Sequence, residues 1–324
     1  MRAIVIALLA VLAVATGAPT PVQAAARVPK VALIVGPAGS VTDAYRRLAD
    51  EAAGAATAAG AEVVKVYSPD ATWPAVKRAT DGASIVVYLG HGNGFPSHYR
   101  NALYPQTQNG FGLNPVSGGD DSVHQYFGEA SIAQLQLAPN AVVVLSHLCY
   151  ASGNSEPGLP EGTRAEAIAR VDNYAAGFLR AGAAAVVAEA EAGPAYYVRA
   201  LLRDRGSIES IWDASPTASG RHSIVAASSR TRGFALHLDP RRATGGYTRS
   251  LVSRGLTAAE LRAGAMGVGG TVVSPVVVPS LASAGLRFSE PSLASLPLAG
   301  GMTRITLPLA SGRAAQIPAG VQVS

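Results

Sequence analysis

The chain of 324 residues contains one cysteine, Cys149, so no internal disulfide exists and packing and hydrogen bonding alone must hold the fold. Charge is also sparse: 15% of residues are Asp, Glu, Lys or Arg, and the formal net charge is +5 with the arginines scattered. Without a basic block or aromatic-plus-basic interleaving, a nucleic-acid partner is not expected. No uninterrupted apolar run approaches the roughly 18 residues that a bilayer demands, so no stable membrane span is expected. A His-Glu-x-x-His helix is missing, and no Gly-x-Ser-x-Gly elbow surrounds Ser146 or Ser152. Gly36-Pro37-Ala38-Gly39-Ser40 lacks the lysine of a phosphate loop, which argues against nucleotide binding. No cofactor and no metal are therefore expected.

At the start of the chain, Met1 and Arg2 precede an apolar run from Ala3 to Ala15 and then Val22-Gln23-Ala24-Ala25-Ala26. A positive charge, a short apolar segment and small residues at a cleavage point describe a secretory signal peptide over 1–24, and hence a secreted or extracytoplasmic protein. A lone cysteine in an exported chain is a buried hydrophobe, half of an intermolecular bridge, or a reactive thiol. Its surroundings must distinguish these.

Apolar runs at Lys30–Gly36, Glu62–Tyr67, Ser84–Leu89, Ala141–Ser146 and Ala183–Ala188 read as buried strands. Helical segments fall between them: Ser40 to Ala59, opened by a Ser40-x-x-Asp43 capping pattern, Trp73 to Thr80, and a segment placing Ile168, Val171, Ala175 and Phe178 on one face. Such alternation predicts an α/β fold with a doubly wound, mostly parallel sheet in three α/β/α layers. From 93 to 139 the pattern loosens into a Gly-, Asn- and Ser-rich insertion with one short helix near Ala130–Leu137, a length that favours a binding loop over a linker. One helix is expected over Ala195–Trp212, while 214–266 gives no clear pattern. The main domain is expected over 25–266. A small all-β appendage is expected over 267–324, where charge fades and Val, Pro, Ser and Leu dominate.

Two strand ends carry chemistry. Ile85-Val86-Val87-Tyr88-Leu89-Gly90 runs into His91-Gly92-Asn93-Gly94, and Val142-Val143-Val144-Leu145-Ser146 runs into His147-Leu148-Cys149-Tyr150. In a parallel sheet, reacting groups gather past the carboxyl ends of the strands, so neighbouring strands would bring His91 and Cys149 to one edge. A free thiol is only a few per cent thiolate at neutral pH and needs an imidazole to take its proton. Gly92 lets the main chain approach a substrate carbonyl, and the amides of Gly92 and Cys149 would serve a developing oxyanion.

An apolar strand ending in His-Gly, followed by one ending in Cys, resembles the caspase-like cysteine peptidase clan. The stretch Asn173–Ala188 is similar to the segment after the catalytic Cys in bacterial caspase-like domains, a helix ending in Ala-Gly-Ala before an apolar strand. The resemblance covers about 31 to 190 and implies a caspase-like fold and a thiol endopeptidase, with Cys149 as nucleophile, His91 as base, and a protein or peptide as substrate. Around the cysteine the chain departs from the clan, reading Ser146-His147-Leu148-Cys149 with the next glycine at Gly153, so substrate preference does not carry over.

Other residues belong to the same neighbourhood. In extended backbone His147 would point the same way as Cys149, as a second base, a zinc ligand with His91 and Cys149, or a satisfied buried histidine. Glu189, at the end of the fifth strand, and Asp172 are candidates for a pocket that binds a basic side chain, as are Asp120, Asp121, Glu129 and Glu191. The expected function is an exported cysteine hydrolase. The alternative is a catalytically silent caspase-like module that binds a surface or secreted partner.

Overall fold

In the computed structural model, the described residues are 28–265 apart from Arg205, together with three later strands. The expected signal peptide over 1–24 lies outside the described residues.

Five strands are parallel: β1 (Lys30–Val35), β2 (Glu62–Tyr67), β3 (Ile85–Leu89), β6 (Ala141–Ser146) and β7 (Ala183–Glu189). They lie in the order β2-β1-β3-β6-β7, and an antiparallel extension follows from β10 (Arg249–Ser253), β9 (Ala235–Leu238) and β8 (Ile224–Ala227). The result is a mostly parallel sheet of eight strands flanked by helices. The extension comes from a region without legible pattern, because strands of four or five residues show too few periods to read.

Alternation along the strands builds two cores. Ala32, Ile34, Val86, Tyr88, Val143, Leu145 and Val186 face one side, covered by α2 (Trp73–Thr80) and α4 (Arg164–Arg180). Val31, Leu33, Val35, Ile85, Val87, Val142, Val144 and Val187 face the other, covered by α1 (Thr42–Thr57) and α5 (Ala195–Arg203). Both faces of β1, β3 and β6 are dry, which is why their sequences are unbroken apolar runs.

Local chemistry sets the helix ends. Thr163 and Glu166 form a reciprocal capping box that opens α4. The Ser40-x-x-Asp43 pattern does not cap α1. A 3-10 turn over Gly39–Val41 comes first, and the Thr42 hydroxyl accepts from Ala38 N–H and donates to Gly39 O instead. The expected helix over Ala195–Trp212 is two helices, α5 and α6 (Ile208–Asp213), with Ser207 capping the second through Ser210 N–H. The chain then ends the main unit with α7 (Ala258–Ala265).

The 93–139 insertion is more ordered than its composition suggests. It holds a short hairpin, β4 (Phe111–Leu113) with β5 (Gln125–Phe127), and a single helical turn, α3 (Glu129–Ile132). Within residues 269–324, β11 (Ala294–Pro297), β12 (Thr303–Pro308) and β13 (Ala314–Gln316) form a separate antiparallel sheet. No helix among the described residues is long and apolar enough to cross a membrane.

Candidate functional site

β3 and β6 are direct neighbours, paired in parallel so that Leu89 lies opposite Ser146. The two turns that follow therefore leave the same edge of the sheet side by side. Their contact is intimate: a Cβ placed on Gly92 would fall 2.1 Å from Cys149 O and 2.9 Å from Cys149 N, and one on Gly94 would fall 2.2 Å from Tyr150 Cβ. Only glycine lets the His91-Gly92-Asn93-Gly94 turn lie against the cysteine turn.

The cysteine turn is itself bent. His147 has φ 62° and Tyr150 φ 69°, left-handed conformations that cost non-glycine residues roughly 1–3 kcal/mol each. Hydrogen bonds hold it in place: His147 N–H donates to Glu189 O at 2.8 Å, and the Asn154 side-chain amide donates to Leu148 O at 3.3 Å. No carbonyl or side chain of the described residues accepts from the N–H of Gly92 or Cys149, although the latter leans on its own thiol. Neither N–H beside the half-buried sulfur is therefore claimed by another residue.

The insertion hairpin supports His91. Tyr88, fully buried on β3, accepts from Gly112 N–H at 2.8 Å, and its hydroxyl lies 3.1 Å from His91 O. A Cβ on Gly112 would come within 3.2 Å of His91 Cβ, so the hairpin packs against the base of the His91 side chain. His124, on the same hairpin, lies tilted against the His91 ring with centroids 4.4 Å apart and meets Tyr126 edge-on at 4.7 Å. No hydrogen bond joins the His91 ring to the Cys149 thiol in this structure. Catalytic hydrogen bonds are commonly long before substrate binds.

Electrostatics define the resting state. Burial pushes the Cys149 thiol up to about 11, and the negative charge of Glu156 adds to it. Burial lowers His91, against an opposing pull from Glu156, and lowers His124, with the His91 charge adding to it. Thiol and imidazole are therefore both neutral at pH 7, a proton donor beside a base rather than a preformed ion pair. Half-buried Tyr45 and Tyr126 and the exposed Tyr99 lie near the thiol. Their phenols are raised, by burial first for Tyr45 and Tyr126 and by the Glu156 hydrogen bond first for Tyr99, and the Cys149 thiolate contributes to all three.

A measurable consequence concerns plain alkylation. Raising the pKa withdraws thiolate at any given pH, so a small neutral electrophile should label Cys149 at pH 7 about 100-fold more slowly than a free cysteine. The labelling rate, followed by mass spectrometry, should climb about tenfold per pH unit and level off only near pH 11. A plateau below pH 8 would contradict this placement of the thiol.

The remaining expected site residues sit as follows. His147 is not extended, so its ring does not parallel the Cys149 side chain. Its Nδ1 lies 2.8 Å from Ser146 Oγ, and its ring faces Tyr45 at 5.5 Å. Ser146 already donates to Ala192 O, so His147 Nδ1 carries the proton of that contact. Glu189 is 1% exposed and accepts from Thr217 Oγ1 at 2.6 Å, with buried Arg249 at 3.8 Å and Asp239 completing the cluster. Asp172 is 4% exposed and accepts from the Ser229 N–H and hydroxyl and from Arg230 N–H, anchoring that loop to α4. Neither carboxylate is placed to receive a substrate side chain; both are satisfied from within. Glu129 is likewise buried between Arg180 and Arg230, and Asp121 is held by Arg46 and Ser68. Among the described residues no group of three or more His, Cys, Asp or Glu is placed to hold a metal ion.

The 150–162 loop contributes residues that sequence reasoning did not single out. Glu156 accepts from Tyr99 OH at 2.8 Å and from Tyr150 OH at 3.0 Å. Arg170, 1% exposed on α4, pins the loop by donating to Pro96 O at 2.8 Å, Gly153 O at 3.3 Å, Asn154 O at 3.0 Å and Glu161 O, with its guanidinium over the Tyr150 ring at 5.3 Å. Arg170→Met would leave these carbonyls without their donor, and unpaired buried acceptors cost about 1–3 kcal/mol each. The variant should lose about 3 kcal/mol or more in urea denaturation, and an unchanged midpoint would show that the pin is dispensable. A depression of about 530 Å³ also lies by β8 and β9, lined by Val225, Phe234 and Arg254, but none of the dyad, the two glycines or Glu156 touches it.

Compared with protein-family models and with curated proteins, the chain matches none. The functional assignment therefore rests on the geometry of this edge of the sheet.

Proposed function

We propose that the protein is a cysteine hydrolase of caspase-like type, an endopeptidase in which Cys149 attacks a peptide carbonyl and His91 takes the thiol proton. The supporting observation is the juxtaposition of two tightly packed turns on adjacent parallel strands, with a thiol, an imidazole and two backbone donors that no other residue claims on one edge.

Each part has a chemical task. The thiol proton passes to His91 as sulfur bonds to the carbonyl carbon, and the amides of Gly92 and Cys149 receive the oxyanion. His91 then returns the proton to the departing amine, leaving a Cys149 thioester that water hydrolyses. Lowered by burial, His91 remains an unprotonated base to below pH 6.5, so the acid limb of turnover should fall under that value.

The test is cleavage of a mixed peptide library by the purified chain beside Cys149→Ala. Products formed by the first protein and not by the second support the peptidase. Identical profiles would favour instead a silent module that binds a secreted or surface partner.

A further inference from the structure

We propose that His124 is the positioning residue of the His91 base, a second imidazole whose ring face holds the first and steadies the imidazolium formed when the Cys149 proton arrives. The inference rests on His91 as base and Cys149 as nucleophile, and it adds the residue that orients the base.

The need for such a residue comes first. The base that activates a nucleophile is ordinarily oriented by a third group within hydrogen-bond reach. Among the described residues, no carboxylate, carbonyl or hydroxyl hydrogen-bonds the ring of His91 or of His124. What the base has instead is another ring. The two half-buried imidazoles lie 4.4 Å apart with planes 30° from parallel, and Tyr126 meets His124 edge-on.

Placement is the second point, because the hairpin is fixed independently of that contact. Phe127 stacks on Trp73 of α2 at 5.1 Å, and Phe111 packs on Tyr88 at 4.3 Å and on Phe178 at 5.4 Å. The Tyr88 hydroxyl accepts from Gly112 N–H and lies 2.9 Å from Gly112 O and 3.1 Å from His91 O, so the base and the hairpin share one buried anchor. Gly112 pairs with Tyr126 across the hairpin. A Cβ on it would fall 3.2 Å from His91 Cβ, 3.3 Å from Tyr126 Cε1 and 3.6 Å from His124 Cδ2. The three rings thus converge over the space that the glycine leaves.

Charge is the third point. A neutral aromatic face attracts a cation, whereas a second cation repels it. His91 becomes an imidazolium between the attack of sulfur and the departure of the amine, so a neutral ring beside it favours that state. Burial lowers His124, and the charge of His91 lowers it further, so the second ring stays neutral while the first holds the proton. Cys149 and Glu156 also face His91 from the cysteine turn and its loop, as do Tyr88 from β3 and Tyr126 from the hairpin. On the segment before His124, Asp120 is bound to Ser122, and Asp121 to Arg46 and Ser68. All of these are the same in every variant below.

The experiment compares the full chain with His124→Phe, which keeps an aromatic face, His124→Leu, which keeps bulk without one, and His91→Gln. On the best-cut member of a mixed fluorogenic peptide library, His124→Leu should lose about tenfold or more in kcat with KM little changed, and His124→Phe should recover most of that loss. Nitrogen-15 histidine NMR follows each ring with pH, each assigned by the signal that its substitution removes. His91 should titrate about half a pH unit higher in His124→Phe than in His124→Leu, the worth of a cation–π contact. His124 should titrate at higher pH in His91→Gln than in the full chain. A packing role alone would move neither midpoint. If cleavage depends on Cys149 but His124→Leu turns over as fast as the full chain, the positioning role is overturned. It is overturned as well if His91 titrates alike in the Phe and Leu variants, or if His124 titrates alike with and without His91. If both midpoints move as expected and no peptide is cut by the full chain, the peptidase reading fails and the imidazole pair stands.

Discussion

Gly92→Ala should abolish most turnover and lower stability together. The added methyl would sit 2.1 Å from Cys149 O and 2.9 Å from Cys149 N, well inside contact distance, and both obstacles are backbone atoms that no rotamer change can move. One of the two turns must shift. Overpacking of this kind costs typically 1–3 kcal/mol, and a displacement of about 1 Å at reacting groups costs about 100-fold in rate. The expected result is thus a fall of about 100-fold or more in kcat/KM with a lower denaturation midpoint. Gly54→Ala is the control. It lies in α1 with nothing within 4 Å of the new methyl, and alanine in a helix interior should be neutral or stabilising by about 0.5–1 kcal/mol. Full activity in Gly92→Ala would remove the main geometric support for the site.

The second large effect separates the two histidines. His91→Ala should reduce kcat/KM by about 10²–10⁴, the usual worth of a positioned general base, with the denaturation midpoint little changed. His147→Ala should cost less than about tenfold, because its Nδ1 proton is committed to Ser146 and its ring to Tyr45. Steady-state kinetics on both variants decide the matter, and the reverse order of effects would make His147 the base.

Much of the sheet was legible in the sequence because its central strands are dry on both faces. Unbroken runs such as Val31–Val35 and Ala141–Leu145 have no solvent side, and the glycines and caps between them mark the crossovers. The site's placement followed from the same feature, since β3 and β6 end in His91 and Cys149 and pair directly. What was hidden was built from short or non-local contacts. The β4–β5 hairpin has only three residues per strand, and β8, whose Val225 is exposed while its neighbour Ile224 is buried, is too brief to show a period.

The pocket residues were hidden for another reason. Glu189 and Asp172 look available from their positions near a strand end and on a helix, but Arg249 and the 228–230 loop reach them from far along the chain. Glu156 carries the opposite lesson. It is one of two acids in the 150–162 loop, and its hydrogen-bond partner Tyr99 approaches from the insertion. The only local hint was its place within the loop that follows the cysteine. His124 was likewise invisible until the hairpin brought it onto His91.

The central claim is a covalent acyl group on Cys149, and trapping that group is the most direct test. A mixed set of activated N-acyl amino-acid esters with acidic, basic, amide and apolar side chains, mixed with the full chain, quenched in acid within milliseconds and digested, should yield a peptide containing Cys149 heavier by one of the acyl groups. That adduct should be absent in Cys149→Ala and accumulate far more slowly in His91→Ala. No acylation, or acylation on Ser146 or Ser152 with Cys149 unmodified, would contradict the account.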